Sequence, residues 1–320
     1  MKTLNISPQD EGVRLDSFLF RHHPDYSRSY FNALIKDQTV QVNGGPSKSS
    51  YHVKAGDIIE FDLIEKPQPK LVEAENIPLS IVFQNDDVVI IDKPAGLVVH
   101  PAPGHPTGTL VNALAHSFPL ITTAVYEDSN ELSMSRPGLV HRLDKETSGI
   151  MIVAKNIKTM IFLARQIKNR KAKKIYLALC AGWPKNPRGK LINHLGRSSK
   201  DRKSYTEVGL EKGREAISDY QTVENFLTPQ QERVSLLKFE IKTGRTHQIR
   251  TQAKMAGFPV IGDDLYSTKE SSSVSEHLGA KRQMLHAKSL SITLPKDGKA
   301  RIFDAPLPAD FTQILNKLRS

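Results

Sequence analysis

The chain reads as an α+β protein with a small amino-terminal domain and a larger second one. At 320 residues it exceeds the usual size of a single domain. A polar, proline-spaced stretch, Glu65-Lys66-Pro67-Gln68-Pro69-Lys70, interrupts it early and reads as a semi-rigid linker. On either side of that stretch helical and strand periodicities alternate, with no long-period repeat and no low-complexity tract. The expected organisation is therefore 1–66 as a small α+β module, 67–78 as linker and 79–320 as the large domain.

In the first module, Ser27 is placed to cap a helix whose apolar residues Tyr30, Phe31, Leu34 and Ile35 fall on one face, leaving Arg28 and Lys36 on the wet side. A short strand over 39–42 ends at Asn43-Gly44, a tight-turn signal. A second strand over 57–64 alternates Ile59, Phe61 and Leu63 with Glu60 and Asp62.

In the second part, Val88-Val89-Ile90-Ile91 reads as a buried strand. Asp92-Lys93-Pro94-Ala95-Gly96 ends it, and a strand resumes at Leu97-Val98-Val99. The run Ile150 to Ala154 is another buried strand. Residues 158–169 carry Ile161, Leu163, Ala164 and Ile167 at helical spacing. Strands are expected over 175–181 and 234–241, a helix from the glycine turn at Gly244 through Ala256, and a strand start at Leu285-His286-Ala287. The segment 267–276, rich in Ser and charge, reads as a mobile loop within an individual stretch reaching Ala280.

Composition narrows the function classes. The single cysteine, Cys180, cannot form an internal disulfide and lies in an apolar strand, where a core role fits better than a nucleophilic one. Together with an amino terminus lacking an apolar signal core, this suits the cytoplasm. No stretch approaches the roughly 20 apolar residues of a membrane helix. His22-His23, His100 and His105 do not share one metal-binding face, and no metal is expected. His100 to Pro106 reads as a rigid loop, and Trp183 as packing. The balance of 45 Lys+Arg against 34 Asp+Glu gives +11, which favours a polyanionic partner.

The most informative segment is His141-Arg142-Leu143-Asp144-Lys145-Glu146-Thr147-Ser148-Gly149. It sets one carboxylate between an arginine and a Thr-Ser-Gly turn, directly before a buried strand. Alone, Asp144 is as readily a turn-capping residue as a reactive one. Three further constellations bear on it: Lys174-Ile175-Tyr176-Leu177-Ala178, Gly244-Arg245-Thr246-His247-Gln248-Ile249-Arg250, and Leu285-His286-Ala287. Each also has an ordinary reading, as a strand aromatic, a solvated first turn of a helix and a strand start.

Taken in order, with Asp92-Lys93-Pro94-Ala95-Gly96, His100-Pro101, Gly108 to Leu114, Gly196-Arg197 and Gly262-Asp263, these segments resemble the RluA/RluD type of RNA pseudouridine synthases over most of the chain. Arg14 to Leu19, Ser27-Arg28-Ser29 and Val42-Asn43-Gly44 resemble the small RNA-binding domain of ribosomal small-subunit protein four. The resemblance implies a mixed, mainly antiparallel β-sheet in the large domain, with flanking helices and a cleft across the sheet. It further implies isomerisation of uridine to pseudouridine in large-subunit ribosomal RNA or a pre-ribosomal particle, by a cytoplasmic monomer needing no cofactor.

In that reading Asp144 either attacks carbon 1′ of the sugar or removes a proton from carbon 2′, a choice the sequence leaves open. An ionised carboxylate in a water-poor pocket needs a cation, and Arg250 is the implied partner. Ile249 packs on the uracil. Tyr176 stacks on its other face, and its hydroxyl takes the carbon 5 proton. His141 and Arg142 serve base flipping and substrate binding, Arg142 filling the vacated space. The run Arg165, Lys168, Arg170, Lys171, Lys173 and Lys174, which has no intervening acid and leads into Tyr176, supplies an RNA path with Arg197 and Arg202, alongside Arg28 and Lys36. Three other readings stand beside this one: a non-catalytic ribosome-assembly factor, a synthase acting on transfer RNA, and a hydrolase needing a second carboxylate, for which Glu146 is poorly placed.

Overall fold

In the computed structural model, residues 24–25, 27, 64–71, 103, 120, 122–136, 202 and 297 are not described, nor is the side chain of residue 29; all others are. The linker stretch 65–70, the expected cap Ser27 and Arg202 thus lie outside the described residues. The chain forms compact units over Met1–Val72 and over Glu73–Ile121 with Gly138–Ser320.

In the first unit the helix expected after residue 27 is α2 (Arg28–Lys36), preceded by two elements that pattern reading does not predict, strand β1 (Lys2–Asn5) and helix α1 (Leu15–His22). Strands β2 (Val40–Val42), β3 (Gly45–Pro46) and β4 (Ile58–Phe61) complete an antiparallel sheet in the order β1-β4-β2-β3. Asn43 and Gly44 adopt φ 52° and 75°, the left-handed pair of a tight hairpin turn. Phe18, Leu19, Phe31, Leu34, Ile35, Ile59 and Phe61 are buried in one core, so the period-2 and period-3.6 apolar positions of sheet and helices meet.

The second unit starts with β5 (Ser80–Gln84) and β6 (Val88–Lys93), followed by α3 (Leu110–Ser117), β7 (Ser148–Ala154), α4 (Ile157–Lys168), β8 (Lys173–Ala181), β9 (Arg188–Arg197), β10 (Tyr205–Glu207), β11 (Arg214–Leu227) and β12 (Arg233–Ile241). Helices α5 (Gln248–Met255) and α6 (Lys269–Leu278), strands β13 (Leu285–Thr293) and β14 (Ala300–Asp304) and helix α7 (Ala309–Arg319) complete it. The strands join in the order β10-β9-β11-β12-β8-β13-β7-β6-β5, with β14 on β13. Among the described strands only β13 and β7 pair in parallel, so the sheet is mixed and mainly antiparallel, the α+β class expected.

Three local expectations are corrected. Leu97–Val99 is no strand: the Val98 and Val99 carbonyls accept the Leu110 and Val111 N–H groups at 2.8 and 3.1 Å, satisfying the first turn of α3. The segment expected as a loop from Ser267 is helix α6, because Thr268 and Ser271 form a capping box and Gly279 closes the helix at φ 73°. In α4 the buried face carries Thr159, Leu163 and Gln166, while Ile161 is exposed.

Candidate active site

Asp144 sits in a turn that holds its own backbone, the Thr147 N–H donating to the Asp144 carbonyl at 3.1 Å. Distant residues fix what surrounds it. The buried Lys93 amine donates to the carbonyls of Pro94, Leu97 and Lys145 at 2.7, 3.0 and 2.9 Å. Burial, partly offset by the charges of Glu146 and Asp144, holds this amine down at about 7. Arg282 donates to the Glu146 carbonyl at 2.9 Å while pairing with Asp310 at 2.6 Å, and Gln283 donates to the Thr147 hydroxyl at 2.9 Å. At Gly149 (φ 114°) a β-carbon would lie 2.3 Å from the Ala287 carbonyl oxygen, so only glycine lets β7 approach β13 there.

Opposite Asp144 stands Arg250, carried on α5. Gln248 pins that helix to β11 by donating to the Ile217 carbonyl and the Ser218 hydroxyl at 3.0 and 2.9 Å. Arg250 Nη1 donates to Asp144 Oδ2 at 3.1 Å. Its Nε and Nη2 donate to both oxygens of Asp263, at 2.6 and 2.8 Å. Burial alone would lower the guanidinium, but Asp263 and then Asp144 outweigh it and hold it above its ordinary value. Asp144 Oδ1 accepts no hydrogen bond among the described residues, which leaves it open to a substrate.

Asp144 and Arg250 line an open pocket of about 520 Å³, with Arg142, His247 and Arg282 on its wall beside His100 and His105. Arg142 is exposed on that wall, whereas His141, next to it, does not line it. His141 Nε2 accepts the Ile152 N–H at 3.0 Å, filling a bonding position on β7, and burial holds the ring at about 3. Tyr176 and Ile249 share the apolar cluster of this unit and are 7% and 4% exposed. Burial, reinforced by the Asp144 charge, pushes the Tyr176 phenol well above its ordinary value.

The expected RNA path divides. Arg165, Lys168 and Lys171 are exposed around the end of α4, as are Arg197 on β9 and Lys36 on α2. Lys174 is 7% exposed, and burial, then the neighbouring Arg245, lowers its amine to about 8, so it is not a surface charge. Arg170 pairs with Glu215 at 2.5 Å and Lys173 with Glu240 at 3.3 Å: strands β11 and β12 bring the acids that the run itself lacks. Arg28 pairs with the buried Asp16 at 2.9 Å; Arg14 and Arg28 together overcome burial and hold that carboxyl at about 2.

Sequence reasoning passed over Asp263 and His247 as site residues. Gly262-Asp263 carried a signal, since a buried guanidinium facing a reactive carboxylate needs a second anion to fix it.

A mixed sheet bearing a carboxylate–guanidinium centre in a pocket, in a chain that begins with a small helix-and-strand module, matches two known families. A family model described as RNA pseudouridylate synthase matches residues 87–255, and one described as S4 domain matches residues 13–59. Fold and site thus define an RNA-modifying isomerase with an RNA-binding domain. The chain belongs to the RNA pseudouridylate synthase family, and is an RNA pseudouridine synthase. An uncharacterized RNA pseudouridine synthase of Chlorobaculum parvum is 39% identical, the match covering 99% of this chain and 98% of that one. A Neisseria meningitidis protein named ribosomal large subunit pseudouridine synthase D is 38% identical, over 99% of this chain and 81% of its own. The solved structure of human RNA pseudouridylate synthase domain containing 1 superposes with a TM-score of 0.56 at 25% identity, covering 76% of this chain and 95% of that one. Among the described residues no helix is long and apolar enough to cross a membrane.

Proposed function

We propose that this enzyme isomerises specific uridines of large-subunit ribosomal RNA, as a cytoplasmic monomer, with 1–66 as RNA-binding domain, 67–78 as linker and 79–320 as catalytic domain. The observation that carries the reading is the Asp144–Arg250 pair at 3.1 Å in the pocket, with Asp144 Oδ1 open. The ribosomal target draws its support from the Neisseria relative. The uridine flips out of its stack at a cost of a few kcal/mol, and Arg142, exposed on the pocket wall, fills the space it leaves.

Asp144 then opens the bond between nitrogen 1 and carbon 1′, by bonding to carbon 1′ or by taking the carbon 2′ proton. Both routes neutralise the carboxylate. Once carbon 5 has joined carbon 1′ and Asp144 is released, the Tyr176 hydroxyl assists removal of the carbon 5 proton. Tyr176 and Ile249 pack the base from the shared apolar cluster. Phosphate contacts come from Arg165, Lys168, Lys171, Arg197 and Lys36, giving affinity but not site choice.

The test is to delete the gene, map pseudouridines across cellular RNA and complement with wild type or Asp144→Ala. One or more large-subunit pseudouridines should vanish and return only with wild type. A missing pseudouridine in transfer RNA instead would overturn the target, and restoration by Asp144→Ala would overturn the catalytic assignment.

A further inference from the structure

His247 lines the pocket with Asp144 and takes no part in the steps above. It stands at the entry to α5 with φ 55° and ψ 22°, a left-handed backbone uncommon for a residue with a β-carbon. Its ring is held edge-on between Tyr205 and Tyr266, both centroids 5.6 Å away, at 74° and 83°. Nδ1 lies 2.9 Å from the Tyr266 hydroxyl, whose oxygen accepts the Tyr205 N–H at 2.7 Å. With the Tyr205 N–H and the neighbouring Thr251 hydroxyl to serve its oxygen, that phenol has its own proton to donate, and Nδ1 at 2.9 Å accepts it. Burial keeps the imidazole below its usual value, although the Asp144 charge opposes this, so the ring is neutral near pH 7. The neutral ring then carries its proton on Nε2. That nitrogen is 4.0 Å from Asp144 Oδ2, too far for a hydrogen bond, so its N–H remains available to the pocket.

We propose that His247 is a catalytic hydrogen-bond donor to the departing uracil, through Nε2–H to the carbonyl oxygen next to the glycosidic nitrogen. The proposal rests on the reading of Asp144 as the group that opens the glycosidic bond. A donor beside the carboxylate that works at carbon 1′ or 2′ reaches the oxygen nearest carbon 1′, not the distant one. When the bond breaks, its electron pair leaves with the base and spreads over nitrogen 1 and the two carbonyl oxygens. Nε2–H stabilises that anion without giving up its proton. Carbon 5 next supplies the electron pair for the new bond to carbon 1′, and Asp144 is released, either by losing its bond to the sugar or by returning the proton to carbon 2′. Carbon 5 then loses its proton while nitrogen 1 gains one, so the sum is an isomerisation with no co-reactant.

The test uses single turnover by the full-length enzyme on one transcript around the mapped uridine, carrying either uridine or 5-fluorouridine there, and follows loss of the original nucleoside in nuclease digests. Fluorine at carbon 5 stabilises the departing anion and makes the donor less necessary. His247→Asn suits the left-handed backbone, and its shorter amide falls short of the base. It is expected to slow uridine consumption on the order of 100-fold, and 5-fluorouridine consumption about tenfold less severely, with RNA affinity within about twofold. Tyr266→Phe frees the tautomer and is expected to give a smaller loss with the same dependence on the leaving group. Equal losses on both RNAs, or no loss, would overturn the donor role. Consumption that survives Asp144→Ala in the same assay would instead overturn the Asp144 reading beneath it.

Discussion

Arg250 gives two of its three nitrogens to Asp263, at 2.6 and 2.8 Å, and reaches Asp144 with the third at 3.1 Å. Asp263 in turn accepts the Leu265 and Tyr266 N–H groups at 3.0 Å, so the anchor is fixed to the backbone before any substrate arrives. The guanidinium is preorganised by one carboxylate to serve the other.

That asymmetry separates stability from activity. Asp263→Ala leaves a buried guanidinium short of its main partner and is expected to cost about 3–5 kcal/mol in urea unfolding. Asp144→Asn removes the lesser contact at the pocket wall and is expected to cost under about 1 kcal/mol, yet to lower turnover on the order of a thousandfold or more. Equal destabilisation by the two would contradict the division of roles.

Tyr176→Phe keeps the ring in the apolar cluster and removes only a hydroxyl. RNA affinity is expected to stay within about twofold, while turnover falls on the order of 100-fold or more if, as proposed, the Tyr176 hydroxyl assists removal of the carbon 5 proton. Accumulation of uridine-depleted RNA lacking finished pseudouridine, seen by mass spectrometry, would place the block at that last step.

The basic run offers a contrast between neighbours. Lys168→Glu and Lys171→Glu, both exposed, are each expected to reduce the salt dependence of RNA binding by about one unit of slope with little change in folding. Lys174→Glu instead puts a carboxylate where an amine is 7% exposed, and is expected to lower the unfolding midpoint. Filter-binding titrations over a salt series, beside thermal unfolding, distinguish the two outcomes.

Acid should destabilise the catalytic unit before its carboxylates titrate. His286, with Nδ1 at 3.0 Å from the Ser148 hydroxyl, is held by burial at about 4, and His141 at about 3. Both lie below the ordinary 6.5, so between 6.5 and those values the unfolded chain binds protons that the folded one does not. Stability contributed by the neutral rings is therefore full above 6.5 and lost as pH falls, by about 1.4 kcal/mol per unit for each ring. Urea unfolding at pH 7.5 and 5.0 should show the loss, and His286→Gln should lessen it; a pH-independent midpoint would contradict it.

Much of the element structure was legible in local pattern. The apolar run Ile150 to Ala154, the alternation at Ile59 and Phe61, and the Asn43-Gly44 turn appear where the sequence places them, because short-range periodicity and backbone preference decide them. The stretch after Ser267 misled because a Ser- and charge-rich composition resembles a loop, while two hydroxyls at the right spacing cap a helix. Leu97–Val99 misled because an apolar run does not reveal whether its carbonyls serve a strand or the first turn of α3.

The sequence by itself carried the candidate site of this protein: the carboxylate in its turn, the arginine of the Gly244–Arg250 segment, and the excess of positive charge suited to RNA. Only the tertiary structure decided which charges stay free. It brought Asp144 and Arg250 together across 106 residues, assigned Arg250 chiefly to Asp263, and neutralised Arg170 and Lys173 with acids from other strands. The physical reason is that backbone periodicity acts over a few residues. Pairing of buried charges is a property of the packed interior, where each ion must find its partner wherever the chain has carried it.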